Sequence, residues 1–276
     1  MAGTAPPTSP PASPRGVSPL DDVVPDPPFV WAHRGASALA PENTMEAFRL
    51  AWELAADGIE LDVQLTRDGV PVVLHDPHVH HDGERFHLHA PRDRGTRAVR
   101  VGDLDLADLA GAPIVFPDGR RAPVERFEAV LEALPDWIWL DVELKAGWTY
   151  DPRLAAVTAR CLAGRPDRCL VSSFDHVVLA ELRALAPEVL LAALCDARLA
   201  DVSAALSPIP THLWNLRRAF ITREDVIALR AQGVLVSLYG EEIRLDLADL
   251  RTWPLAGIFL DDPREAYGPP SPPGLG

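Results

Sequence analysis

Short runs of β-branched and aromatic residues alternate with amphipathic segments through most of the chain. The runs have the length of strands, and the segments between them repeat apolar residues at the three- and four-residue spacing of a helix. We predict strands at residues 29–33, 58–63, 137–144, 169–173, 189–195, 212–215, 234–239 and 257–261. Eight strands that alternate with helices over about 240 residues predict an α/β fold, specifically a (β/α)₈ barrel.

A further β-like run, residues 70–76, follows the dipeptide Asp68-Gly69, which favours a two-residue hairpin turn. Pairing about this turn places Asp62 opposite His75. We therefore predict a hairpin that rises above the second strand and is not part of the barrel. It would bring His75 back to the end of the barrel at which Asp62 lies.

The remaining segments are predicted to lie outside the barrel. Residues 77–120 contain prolines, glycines and charges that fit no barrel element, and indicate a small insertion after the second strand, with Pro123 opening the next helix. Residues 1–28 contain nine prolines and few apolar residues, which predicts a disordered tail. We expect the barrel to span residues 29–268 and residues 269–276 to be frayed.

Charge and composition limit the partners. A formal net charge of −14 argues against binding to nucleic acid, although a local field can still hold a phosphate. The three cysteines are widely spaced, as in a reduced cytoplasmic protein. Neither a secretory signal nor an apolar run of about 20 residues is present, so we expect no stable membrane insertion.

Charged residues occur where the first three predicted strands end, at positions at which a barrel interior normally carries Val, Ile or Leu. They are His33 and Arg34 after the first strand, Glu60 and Asp62 in the second, and Asp141, Glu143 and Lys145 in and after the third. An isolated Glu-x-Asp is usually a solvated strand end, but three such ends converge in a barrel. Converging carboxylates without cysteine favour Mg²⁺ or Ca²⁺ as a ligand.

Two histidines are predicted at the same rim. Imidazole exchanges a proton readily near neutral pH, so one of His33 and His75 can accept a proton while the other donates one. A lone histidine would more often be structural. Beside them, Arg34 and Lys145 would offer positive charge to an anionic substrate, and phosphate suits both side chains. Lys145 is the only lysine among the 26 basic residues.

The chain closely resembles the glycerophosphodiester phosphodiesterases over residues 29–265. The resemblance is carried by residues 31–76, from WAHRG to VLHD, and by LDVELK (140–145), VSSFD (171–175) and GIFLDDP (257–263). It implies a TIM barrel with an insertion above the second strand. It also implies that His33 and His75 are the acid/base pair, that Arg34 and Lys145 hold the phosphate, and that the metal ligands are Glu60, Asp62 and Glu143.

The implied reaction is metal-dependent hydrolysis of a small-molecule glycerophosphodiester to sn-glycerol 3-phosphate and an alcohol. A lysophospholipase D and a non-catalytic anion-binding barrel are the alternatives. Three departures from the family pattern concern the site: Asp141, where the family often has Asn, the SLYG segment (237–240), and Leu260.

Aromatic residues just beyond the upper strand ends could form the wall of the substrate pocket. Trp148, Phe174 and Trp214 occupy such positions. For each of them, packing in the core is an equally good interpretation.

Overall fold

The structure is a computed structural model that describes residues 28–88, 95–110, 113–146, 151–206, 211 and 213–267. The predicted tails, apart from Pro28, lie outside the described residues, as does Trp148.

The described residues contain fifteen strands. In chain order they are β1 Phe29–Ala32, β2 Gly58–Leu65, β3 Pro71–Val73, β4 His78–His81, β5 Phe86–His87, β6 Arg97–Arg100, β7 Ile114–Val115, β8 Arg121–Ala122, β9 Glu125–Arg126, β10 Trp139–Leu144, β11 Cys169–Ser173, β12 Leu190–Cys195, β13 Leu213–Arg217, β14 Leu235–Tyr239 and β15 Gly257–Leu260.

The helices are short. In chain order they are α1 Met45–Glu53, α2 Leu106–Ala110, α3 Phe127–Ala133, α4 Leu154–Leu162, α5 His176–Leu185, α6 Val202–Leu206, α7 Arg223–Arg230 and α8 Ile243–Leu250. Side chains of Thr44, Asp175 and Thr222 cap the N-termini of α1, α5 and α7, which explains where these helices begin. Among the described helices, none has the length and apolar character that crossing a bilayer requires.

Eight parallel strands close into a barrel, as predicted. The order is β1, β2, β10, β11, β12, β13, β14 and β15, and β1 pairs with both β2 and β15. One face of each strand packs beneath the helices in the main apolar core. The lower interior is filled by a separate aromatic cluster around Trp31, Trp139 and Phe259. Gly58 makes room for it, because a Cβ at this position would lie 2.5 Å from the Trp31 ring.

The hairpin forms, but its predicted register is wrong by one residue. The amide of Leu74 donates a 3.0 Å hydrogen bond to the carbonyl of Asp62, so His75 does not lie opposite Asp62. The turn has three residues, 67–69, because Gly69 adopts a φ of +79° that suits the last position of such a loop. His75 lies beyond the paired residues, where the chain bends back toward the barrel mouth.

The predicted insertion contains a five-stranded sheet, whose strands were not predicted from the sequence. Its strands lie in the order β6, β4, β5, β7 and β8 and enclose their own apolar cluster. Helix α3 begins at Phe127 and not at Pro123, because Glu125–Arg126 first pairs with β3. The insertion and the hairpin thus form one continuous wall above β2.

Candidate active site

Three carboxylates meet inside the upper end of the barrel. Glu60 and Asp62 lie on β2, and Glu143 lies on the neighbouring β10, where it is in register with Asp62. All three are buried, and one oxygen of each lies within 4.8 Å of the others. The structure therefore brings together the three residues that the sequence suggested as metal ligands.

These carboxylates differ in their electrostatic environment. Burial, together with the charges of Asp62 and Glu143, raises the pKa of Glu60 well above its usual value. Burial also disfavours ionised Asp62, but Lys145 and Arg34 outweigh it and hold the pKa of Asp62 far below its usual range. A further positive charge bound between Glu60, Asp62 and Glu143 would stabilise the ionised form of Glu60.

Lys145 lies between two of the acids. Its Nζ is 2.8 Å from Asp62 Oδ1 and 2.5 Å from Glu143 Oε1. Burial alone would lower the pKa of Lys145, but the two carboxylates raise it above its ordinary value, so the ammonium stays charged. The single lysine is therefore a fixed positive charge that faces the same cavity as the carboxylates.

Arg34 approaches the carboxylates from the loop after β1. Its φ of 56° directs its amide toward Glu60 Oε2, at 2.8 Å. Its guanidinium donates to Glu42 at 3.1 Å and lies 3.4 Å from Asp62 Oδ2. Asn43 also contacts Asp62, through a 2.7 Å bond to the carboxylate and a 3.2 Å bond from the Asp62 amide. The loop before α1 thus fixes the orientation of Asp62.

The acidic residues fit a divalent cation. Their oxygens are hard ligands, which Mg²⁺ and Ca²⁺ prefer in proteins. Glu60 Oε1 is buried and has no hydrogen-bond partner among the residues that the structure describes, which is costly unless a cation binds it. The burial of the three carboxylates, their oxygen atoms and the short distances between them all fit a divalent cation.

Each rim histidine is paired with an aspartate. His33 Nδ1 lies 2.7 Å from Asp261 Oδ1, and His75 Nδ1 lies 2.7 Å from Asp76 Oδ1. In the neutral tautomer that donates from Nδ1, each imidazole leaves Nε2 free to accept a proton. Burial would raise the pKa of Asp261, but the hydrogen bond from His33, together with the charges of His33, Arg244 and Arg34, lowers it. Neither aspartate was assigned a role from the sequence, although Asp76 ends the VLHD motif and Asp261 lies within GIFLDDP.

Asp141 lies on the same face of β10 as Glu143, two residues earlier, and is in register with Glu60 of the acidic trio. It accepts hydrogen bonds from Ser172 Oγ at 2.6 Å and Asn215 Nδ2 at 3.0 Å. Burial and the charge of Glu143 raise the pKa of Asp141 to about 7, despite these two bonds. The unexplained acid of the sequence is therefore part of a buried polar layer.

We expect Asp141→Asn to stabilise the protein above pH 7. Folding raises the pKa of Asp141, so the wild-type protein loses free energy of unfolding as pH rises from about 4 to about 7. Asparagine has no such dependence and offers one acceptor and one donor, as the protonated acid does. Urea unfolding in EDTA should show a gain of about 2–4 kcal/mol at pH 8 that shrinks toward pH 5.

Asp136→Asn changes an exposed aspartate and is the matched control for this measurement. It should leave the free energy of unfolding unchanged at both pH values. An equal stability difference between Asp141→Asn and wild type at pH 5 and pH 8 would contradict the titration of Asp141.

A cavity of about 960 Å³ opens above these residues and is lined by both histidines, Arg34, Glu60, Glu143 and Lys145. Phe174 also lines the cavity, which agrees with the interpretation of this residue as part of the pocket wall. Trp214 does not line it, and that expectation is wrong: its side chain is on the outer face of β13 and is buried in the core beneath the helices. Tyr239, Gly240 and Leu260, which depart from the family pattern, line the cavity too.

Comparisons with known proteins identify the family. Residues 33–265 match the model of the glycerophosphoryl diester phosphodiesterase family. A glycerophosphodiester phosphodiesterase from Caldanaerobacter subterraneus subsp. tengcongensis is 30% identical over 251 residues, which cover 85% of this chain and 94% of the relative.

Solved structures share the fold. A phosphodiesterase from Oleispira antarctica, in complex with sn-glycerol-3-phosphate, aligns with a TM-score of 0.69 at 23% identity and covers 87% of this chain and 95% of its own. A glycerophosphodiester phosphodiesterase from Thermotoga maritima aligns with a TM-score of 0.65 at 23% identity, over 86% of this chain and 96% of its own. Because the family match spans nearly the whole barrel, the chain belongs to the glycerophosphoryl diester phosphodiesterase family and is a phosphoric diester hydrolase.

Proposed function

We propose that the protein hydrolyses glycerophosphodiesters to sn-glycerol 3-phosphate and an alcohol, with a divalent cation and two histidines. The observation that carries this proposal is a single cavity lined by two imidazoles, buried carboxylates and two cations. A phosphodiester needs proton transfer at its attacking and leaving oxygens and compensation of negative charge at phosphorus, and this cavity offers groups for each requirement.

The two histidines divide the proton transfers. One imidazole Nε2 accepts the proton of the glycerol hydroxyl as that oxygen attacks phosphorus. The other protonates the leaving alcohol as its bond to phosphorus breaks. Water then opens the resulting cyclic phosphate with the two roles reversed, which yields sn-glycerol 3-phosphate. Asp261 and Asp76 orient the two rings by accepting a 2.7 Å hydrogen bond from Nδ1, so that Nε2 does the proton transfer: it is unprotonated in the histidine that acts as base and carries a proton in the one that acts as acid.

Positive charge in the cavity stabilises the transition state. Glu60, Asp62 and Glu143 would hold Mg²⁺ or Ca²⁺, which supplies Lewis-acid stabilisation of the phosphoryl oxygens when bound. Lys145 and Arg34 already lie against this acidic trio and bind the phosphate from its edge. A phosphate dianion or monoanion thus meets two fixed cations although the protein as a whole is acidic.

Release of sn-glycerol 3-phosphate from glycerophosphodiesters, measured with Mg²⁺, with Ca²⁺ and with excess EDTA, tests the proposal. We expect release with at least one of the two ions and its loss in EDTA. Hydrolysis that persists in EDTA would contradict the metal part of the proposal. Tight binding of the diesters without any product would instead support the anion-binding barrel.

A lysophospholipase D remains the second candidate, because one wall of the cavity is apolar. Leu245 lines the cavity with 84% of its surface exposed, and Phe174 lines it with 44% exposed. Such side chains could contact an acyl chain. Headgroup release from lysophosphatidylcholine, compared with that from glycerophosphocholine, separates the two. A faster reaction with the lysophospholipid in wild type, reduced in Leu245→Ser, would favour this second function.

A further inference from the structure

Two aromatic rings form a perpendicular corner in the cavity. Phe174 follows β11 and Tyr239 ends β14, and their ring centroids lie 6.1 Å apart at an interplanar angle of 89°. The Tyr239 hydroxyl donates a 3.0 Å hydrogen bond to the carbonyl of Cys195, which fixes its ring. Both residues line the cavity, so the corner faces a bound substrate.

The segment after Tyr239 adds negative charge beside this corner. Glu241 and Glu242 both line the cavity. Glu241 is exposed and forms no ion pair with any residue that the structure describes. Arg217 neutralises one oxygen of Glu242 at 3.3 Å, but the other, Oε2, is buried without a hydrogen-bond partner in the described part of the chain.

Each of the two arginines near this wall pairs with at least one acid outside the aromatic corner. Arg244 lies 3.5 Å from Asp261 and 3.3 Å from Glu265, and Arg217 is shared between Glu242 and Asp196. The carboxylates around the aromatic corner therefore outnumber the cations, whereas Arg34 and Lys145 lie at the phosphate end. The cavity has a phosphate end, where Arg34 and Lys145 accompany the acidic trio, and an end that combines aromatic faces with acid.

We propose that this aromatic corner, Phe174 and Tyr239 with Glu241 and Glu242, binds the ammonium of a cationic leaving alcohol of the choline or ethanolamine type. The inference rests on the proposed function and specifies its substrate class. Aromatic faces attract quaternary ammonium groups through their negative ring surface, and nearby carboxylates add Coulomb attraction. A neutral polyol would gain neither contribution.

Three diesters with the same glycerophosphate and different alcohols separate charge from shape. They are glycerophosphocholine, its neutral isostere glycerophospho-3,3-dimethylbutanol, in which carbon replaces nitrogen, and glycerophosphoglycerol. We expect kcat/KM for the choline ester to exceed that for the neutral isostere by about tenfold. The isostere has the same size, so this ratio reports the charge alone.

Variants of the corner should change this ratio in a defined way. Phe174→Leu keeps an apolar side chain but removes the ring, and we expect the ratio to fall by about 5- to 10-fold, whereas Phe174→Trp should retain it. Glu241→Gln should lower the ratio by about threefold, with a smaller effect at high salt. Phe220→Leu and Glu224→Gln change exposed residues outside the cavity and are the matched controls.

The outcomes distinguish this inference from the function on which it rests. Equal kcat/KM for the choline ester and its neutral isostere, with both hydrolysed, would overturn the cationic subsite and leave the phosphodiesterase intact. A ratio that survives Phe174→Leu would also overturn it. Failure to hydrolyse any of the three diesters would overturn the proposed function, and the inference with it.

Discussion

Replacing His33 or His75 by alanine should lower kcat for a glycerophosphodiester by about 10³-fold. Each imidazole is expected to transfer a proton at one of the two reacting oxygens, and among the described residues that line the cavity no other histidine is present to replace it. KM should change much less, because Arg34 and Lys145, which bind the phosphate, are untouched. Steady-state kinetics of sn-glycerol 3-phosphate release check this expectation.

His80→Ala is the matched control, since this histidine lies on β4 of the insertion and does not line the cavity. It should retain wild-type kcat. The kcat values of Asp261→Asn and Asp76→Asn should lie between those of wild type and the alanine variants. Each substitution leaves the imidazole present but no longer fixes which ring nitrogen carries the hydrogen. Full activity in either alanine variant would contradict the paired acid/base mechanism.

The second large effect concerns the chain's single lysine. We expect Lys145→Met to lower kcat/KM by about 10²-fold, because it removes a buried positive charge that lies against the phosphate end of the cavity. Lys145→Arg should recover only part of the loss. The ammonium contacts Asp62 and Glu143 at 2.8 and 2.5 Å from one small group, and a planar, longer guanidinium cannot reproduce both contacts in that space.

Arg160→Met, which removes an exposed cation on α4, should leave kcat/KM unchanged and so controls for net charge. Thermal unfolding of both Lys145 variants should be compared with wild type in EDTA, so that a loss of fold is not mistaken for a loss of catalysis. Near-normal turnover in Lys145→Arg would mean that any cation suffices at this position.

The sequence predicted the barrel well because strand length, apolar character and helix spacing are local properties. The eight predicted strands correspond to β1, β2 and β10–β15, with ends that differ by at most two residues. The same local pattern identified the charged residues at the first three strand ends, since a barrel interior rarely tolerates them without a purpose. Five of these residues line one cavity, namely His33, Arg34, Glu60, Glu143 and Lys145, and Asp62 lies against Lys145.

Other features depended on the alignment of segments that are distant in sequence. Asp261 reaches His33 across 228 residues, and Asn215 reaches Asp141 across 74. Strand periodicity shows which residues share a face, but not which face points into the barrel. Trp214 therefore could not be assigned beforehand: its neighbour Asn215 points inward, and Trp214 packs outside.

The sequence by itself thus determined the strands, the helices between them and the identity of the acids, histidines and cations at the barrel mouth. The tertiary structure decided the three-residue turn before His75, the aspartate partner of His33 and the aromatic corner of Phe174 and Tyr239. The physical reason is barrel closure. When β1 pairs with β15, the register between neighbouring strands sets the height and direction of every side chain at the mouth, and this register is a property of the whole ring.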